Sequence, residues 1–108
     1  MSAGEWQLRS RLPHKRDRNQ PEISAAFTAL GCSVFDTSAM GGGFPDLVLG
    51  VCGENVMVEI KTKKGTLTED QEKLIGKWRG TIHVIDSVDG ACRLIDTIRG
   101  RFNEHRNG

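Results

Sequence analysis

Two apolar runs lie so close in the chain that they are expected to pair with each other, and each carries acid at one end. The first follows a glycine cluster, Gly41-Gly42-Gly43-Phe44-Pro45-Asp46-Leu47-Val48-Leu49-Gly50, and the second is Val56-Met57-Val58-Glu59-Ile60-Lys61. Both have the length and β-branched content of strands, and Gly53-Glu54-Asn55 between them supplies a turn, so a hairpin is expected near 46 to 61. Side chains alternate across a strand, which puts Glu59 and Lys61 on one face and Val58 and Ile60 on the other. Asp46 is expected across from this pair, within about one residue of register. Two carboxylates and an ammonium then converge at one strand end.

That set has a definite chemistry. Two carboxylates offer hard oxygen ligands to Mg2+ or Mn2+, ions that keep several waters and bind phosphate oxygens directly. Lys61 beside them can orient a nucleophilic water or stabilise a phosphate, and it limits repulsion between the acids and a polyanion. An acid before a strand and Glu-x-Lys within one also occur on solvated sheet faces, where they need no function. Gly41 to Gly43 lack the Gly-Lys-Ser/Thr ending of a nucleotide-binding loop and precede a strand, which makes nucleotide hydrolysis a poor reading. Gly42 and Gly43 instead let the backbone approach a DNA phosphate chain closely, or make a tight turn.

Helix signals flank the hairpin. Asn19 is placed to cap a helix near 20 to 30 with Pro21 in its first turn, Glu22 completing a capping box, and Gly31 as the stop. Ile23, Ala26, Phe27 and Leu30 form its apolar stripe. Glu22 therefore serves the cap, the acidic site, or both. Thr68 and Gln71 make a second capping box for a helix near 69 to 79, and Gln71 shares a stripe with Leu74, Ile75 and Trp78, where its amide needs a partner. Strands are expected near 33 to 37 and 81 to 86, and a third helix near 88 to 98, capped by Ser87. The sum is an α/β fold, a mixed central sheet flanked by helices.

The ordered combination of these motifs resembles the virus-type replication-repair nuclease (VRR-NUC) domains of the PD-(D/E)xK superfamily, in their small stand-alone phage and bacterial form. The resemblance covers most of the chain. It runs from Asp17-Arg18-Asn19-Gln20-Pro21-Glu22 through Gly43-Phe44-Pro45-Asp46, Glu59-Ile60-Lys61 and Leu67-Thr68-Glu69-Asp70-Gln71 to Trp78-Arg79-Gly80 and the following strand. It implies a restriction-endonuclease-like core. Asp46, Glu59 and the Ile60 carbonyl are implied as ligands of Mg2+ or Mn2+, with Glu22 a further ligand, and Lys61, Gln71 and Glu22 as other site residues. It implies a metal-dependent DNA endonuclease acting on branched DNA such as Holliday junctions, as a homodimer, because two nicks on opposing strands suit a two-fold assembly.

The remaining sequence bounds this reading. A chain of 108 residues holds one domain and leaves little area for a separate specificity module, which disfavours sequence-specific restriction. The net charge of +1 excludes a uniformly basic coat. Arg9, Arg11, Lys15, Arg16 and Arg18 nonetheless cluster in residues 1–18, read as a basic arm that contacts DNA or is merely solvated, and Lys63 and Lys64 follow Lys61. Residues 19–98 are expected to form the nuclease domain that the resemblance implies, and 99–108 a polar, frayed tail. Cys32, Cys52 and Cys92 are odd in number and without a Cys-x-x-Cys pair, so neither zinc nor a disulfide framework is expected. His14, His83 and His105 are scattered, and His83 is read as structural. The lack of a signal pattern or long apolar span points away from a membrane and toward the cytoplasm of a bacterium or phage-infected host. The rival from another functional class is a nuclease-fold protein that binds or inhibits without cutting.

Overall fold

The computed structural model describes residues 19–61 and 65–107. The elements run α1 (Gln20–Ala29), β1 (Ser33–Asp36), β2 (Leu47–Val51), β3 (Glu54–Ile60), α2 (Glu69–Lys77), β4 (Ile82–Ile85) and α3 (Val88–Asn107). The fold is α/β, with one four-stranded sheet in the order β1-β2-β3-β4. The first three strands pair antiparallel, and β4 adds parallel to β3. A parallel neighbour requires a crossover, and α2 lies within it. The crossover returns the chain so that β3 and β4 end at the same edge of the sheet.

The expected hairpin forms, but its turn falls earlier than Gly53-Glu54-Asn55. Val51 pairs with Glu54, so the loop is Cys52-Gly53 alone. Both residues have positive φ, 54° and 76°, as a two-residue turn that matches the twist of the strands requires. Cys52 is not a residue that ordinarily marks such a turn, which is why the pattern pointed further along the chain.

The register sorts the side chains. Val34, Leu47, Leu49, Val51, Val56, Val58, Ile60 and Ile85 share the face that packs against Ile23 and Phe27 of α1 and Ala91, Ile95 and Ile98 of α3. Ile23, Phe27, Ile95 and Ile98 are fully buried, each contributing about 1.5–3 kcal/mol of transfer free energy. The opposite face carries Phe35, Val48, Met57, Glu59, Ile82 and Val84, and Phe35 is 70% exposed. No residue of α2 is buried, and Leu74 and Ile75 are only half-buried, so the expected stripe is less covered than its spacing suggested. With so little apolar area covered, the position of α2 depends on contacts at its first turn.

Helix ends follow local chemistry. Gly31 stops α1 at φ 90°, with Gly31 N donating to Thr28 O and Cys32 N to Phe27 O, the paired bonds of a Schellman motif. Ser87 Oγ accepts from Gly90 N at 3.0 Å and caps α3. The tail expected from Arg99 onward is instead helical to Asn107. Arg99 reaches back to donate to Leu30 O, and Ile98 is fully buried, so tertiary contacts carry α3 past the point where its apolar stripe thins. Among the described residues no helix is long and apolar enough to cross a membrane. Cys32, Cys52 and Cys92 are free thiols.

Candidate functional site

The site forms where β2 begins and β3 ends. Leu47 pairs with Val58, and continuing that register by one residue sets Asp46 opposite Glu59. Residues opposite each other in an antiparallel pair project from the same face, so the extended register puts Asp46 and Glu59 at the same end of the hairpin. The end of β1 secures the approach: Thr37 N donates to Asp46 O at 2.7 Å, and Thr37 Oγ1 to Pro45 O at 2.6 Å. The Asp46 carboxylate then reaches across to β3, where Oδ2 accepts from Ile60 N at 2.9 Å. A residue's N–H and C=O leave a strand on the same edge, so the Ile60 carbonyl also faces the Asp46 side.

Glu59 is 2% exposed, which is rare for an ionisable side chain unless it is paired. Gln71 provides one partner, with Nε2 donating to Glu59 Oε2. The same amide closes the α2 cap. Its Oε1 accepts from Thr68 N at 2.7 Å, while Thr68 Oγ1 accepts from Gln71 N at 3.2 Å. Gln71 had two open readings, cap or site, and both contacts are present in one side chain. The opening turn of α2 is therefore fastened directly to Glu59.

The glycine loop meets the same turn. Gly43 has φ 81°, and a β-carbon built there would stand 2.8 Å from Gln71 N and closer still to the Asp70 carbonyl. Its close approach is thus to the backbone of α2. Gly41 and Gly42 also have positive φ, but open space surrounds them. Of the two glycines expected to admit a DNA backbone, Gly42 remains open to one.

Lys61 is half-buried just beyond β3, and its backbone is bonded on the β4 side. Lys61 N donates to Ile85 O at 3.0 Å, and Lys61 O accepts from Asn19 Nδ2 at 3.3 Å. Asn19 Nδ2 also donates to Asp86 O at 2.8 Å. This overturns the expected cap: Asn19 has helical φ and ψ of −85° and −2° and makes no side-chain cap bond. The capping box with Glu22 is absent because the Asn19 amide is turned toward the sheet. Nothing local in the sequence pointed to that contact, since Lys61 and Asp86 lie 42 and 67 positions away.

Glu22 itself is exposed on α1. Among the described residues no group of three His, Cys, Asp or Glu side chains could hold a metal ion, so Glu22 does not join Asp46 and Glu59 in one cluster. The buried polar residue at the start of α1 is instead Gln20, 2% exposed, whose Nε2 donates to Asp36 Oδ2 at 2.8 Å. Asp36 Oδ1 also accepts from Ser38 N at 2.8 Å. This network ties α1 to the end of β1 and was not anticipated. Arg9, Arg11, Lys15, Arg16, Arg18, Lys63 and Lys64 lie outside the described residues.

The donor set suits a hard divalent cation in kind. Two carboxylates and a backbone carbonyl are oxygen donors of the sort that Mg2+ and Mn2+ prefer, with waters completing the shell. Compared with known proteins, the chain matches no family model, no curated protein and no solved structure.

Proposed function

We propose that this protein is a metal-dependent DNA endonuclease selective for branched DNA. The observation that carries the reading is the register of β2 on β3, which when extended by one residue sets Asp46 opposite Glu59, with Lys61 two residues after Glu59, just past the end of β3. A binding protein would have no chemical need for two acids directed at a phosphate, which would repel it.

Asp46, Glu59 and the Ile60 carbonyl would hold Mg2+ or Mn2+. Such an ion, when bound, supplies charge compensation at the phosphoryl oxygens and an acidified water near neutral pH. Asp46 is oriented for the task by Ile60 N, and Glu59 by Gln71. Lys61 would hold a phosphate oxygen or the attacking water, an interaction that strengthens as negative charge develops. The basic residues of the 1–18 segment, with Lys63, Lys64 and the open Gly42 backbone, would bind the remaining phosphates, and each phosphate neutralised would add about 0.9 to the logarithmic salt slope on duplex DNA.

Resolution of a four-way junction requires two related nicks, so the working unit would be a homodimer. Supporting this, the sheet face opposite α1 and α3 carries exposed Phe35 and Val84, 70% and 36% accessible. The α3 stripe of Ala91, Ile95 and Ile98 is consumed in the chain's own core.

The test is cleavage of labelled junction, flap, duplex and single-stranded DNA with Mg2+, Mn2+ or EDTA. Asp46→Asn and Glu59→Gln run alongside, and sedimentation is measured with and without junction. Metal-dependent nicking that falls at least about 100-fold in both variants is expected, with binding retained. Binding of DNA without cleavage in any arm would establish the non-cutting rival instead.

A further inference from the structure

Asn19 is well suited in sequence to cap α1, yet it leaves that cap unmade. Its amide is spent on two carbonyls at the edge of the sheet: Lys61 O at the end of β3 and Asp86 O just after β4. These carbonyls belong to neighbouring parallel strands, and one NH2 group bridging them fixes the spacing at the point where the ladder ends. The amide orientation follows from its partners, since only the nitrogen can donate to two carbonyl oxygens. Its Oδ1 is buried and has no hydrogen-bond partner among the described residues. An orphaned acceptor is unfavourable and persists where the surrounding structure has another use for the group.

The backbone around Lys61 is otherwise secured from the strand side. Ile60 N donates to Asp46 Oδ2, and Lys61 N to Ile85 O. Beyond Lys61 the strand pairing stops, so its carbonyl is the next group that needs a fixed partner. Asn19 supplies it from the start of α1, an element whose Ile23 and Phe27 are fully buried and therefore well anchored.

We infer that Asn19 is a positioning residue, which holds the Lys61 backbone so that its ammonium stays aligned with Asp46 and Glu59. The catalytic consequence rests on the endonuclease reading. Asn19 touches neither metal nor phosphate in this role; it acts through Lys61.

Asn19→Ser and Asn19→Asp separate the role from simple capping. Both residues are good helix caps, but serine is too short to bridge the two carbonyls and aspartate has no donor. Each variant is expected to keep a near-normal unfolding midpoint and a KM within about twofold, while kcat falls about 10–100-fold, the range seen for residues that orient a ligand from behind. Amide hydrogen exchange provides the second readout. Protection of Lys61 N–H should fall by at least about tenfold while that of Thr37 N–H, bonded to Asp46 O, is unchanged.

An unchanged kcat in an active enzyme overturns the inference. So does an equal loss of protection at both amides, which marks a general structural role. If the wild-type protein cuts no DNA with either metal, the endonuclease reading fails on its own. The Lys61 amide then still decides whether Asn19 holds this segment, and undiminished protection in the variants overturns that.

Discussion

Gly43 and Asp70 pack backbone against backbone, so closely that no β-carbon fits between them, and Gln71 N lies 2.8 Å from where one would stand. This contact and the Gln71 bond to Glu59 are what join α2, which buries no residue of its own, to the site. The glycine loop, the opening turn of α2 and the buried acid form one unit.

Gly43→Ala should therefore destabilise the fold by about 2–4 kcal/mol, combining a positive φ with a backbone clash. Gly42→Ala is the control. It shares a positive φ, 65° against 81°, but faces open space, so only the conformational cost of about 1–2 kcal/mol applies. Urea unfolding of the two variants checks this, and equal losses would mean that the Asp70 contact contributes nothing.

Gln71 serves two partners, and two substitutions separate them. Gln71→Ala removes both the cap and the Glu59 contact, costing about 1 kcal/mol from the cap alone. Gln71→Glu keeps a residue suited to the third position of a capping box but sets a second carboxylate against Glu59. Cleavage should fall in both variants, with Gln71→Glu no better than Gln71→Ala although its helix remains capped. Parallel unfolding and nicking measurements test this, and full activity in Gln71→Glu would reduce the residue to a cap.

The Cys52-Gly53 turn places a cysteine at φ 54°, where Asn is far better tolerated. Cys52→Asn should raise stability by up to about 1 kcal/mol, the order of the left-handed penalty relieved, less whatever packing the half-buried thiol gives the core. A urea midpoint at or below that of wild type would contradict the turn geometry.

His83 lies opposite Val58 on the helix-facing side of the sheet. Burial, and secondarily the Arg101 charge, lower its pKa from 6.5. The unfolded chain then takes up its proton at higher pH than the folded one. Stability from the neutral imidazole is complete above about 6.5 and is lost as pH falls from there through the lower folded value. Unfolding midpoints between pH 8 and 5 should decline below pH 6.5 in the wild type and decline less in His83→Gln. Equal slopes would place the acid sensitivity elsewhere.

The sequence by itself determined what depends on neighbours a few residues apart. Periodicity two placed the hairpin and set Glu59 on the sheet face opposite Val58 and Ile60, because strand alternation fixes side-chain direction without reference to the rest of the fold. The Thr68-Gln71 and Ser87 caps and the Gly31 stop are bonds within five residues, so they too were legible. The tertiary structure decided everything that joins distant segments. It turned Asn19 from its own helix to Lys61 and Asp86, used Gly43 against Asp70, and left Glu22 exposed while burying Gln20 on Asp36. It also carried α3 to Asn107 through contacts to α1. At Asn19 a local cap gave way to contacts 42 and 67 positions away, because the carbonyls at the end of the β3–β4 ladder needed a donor that no neighbouring strand supplied.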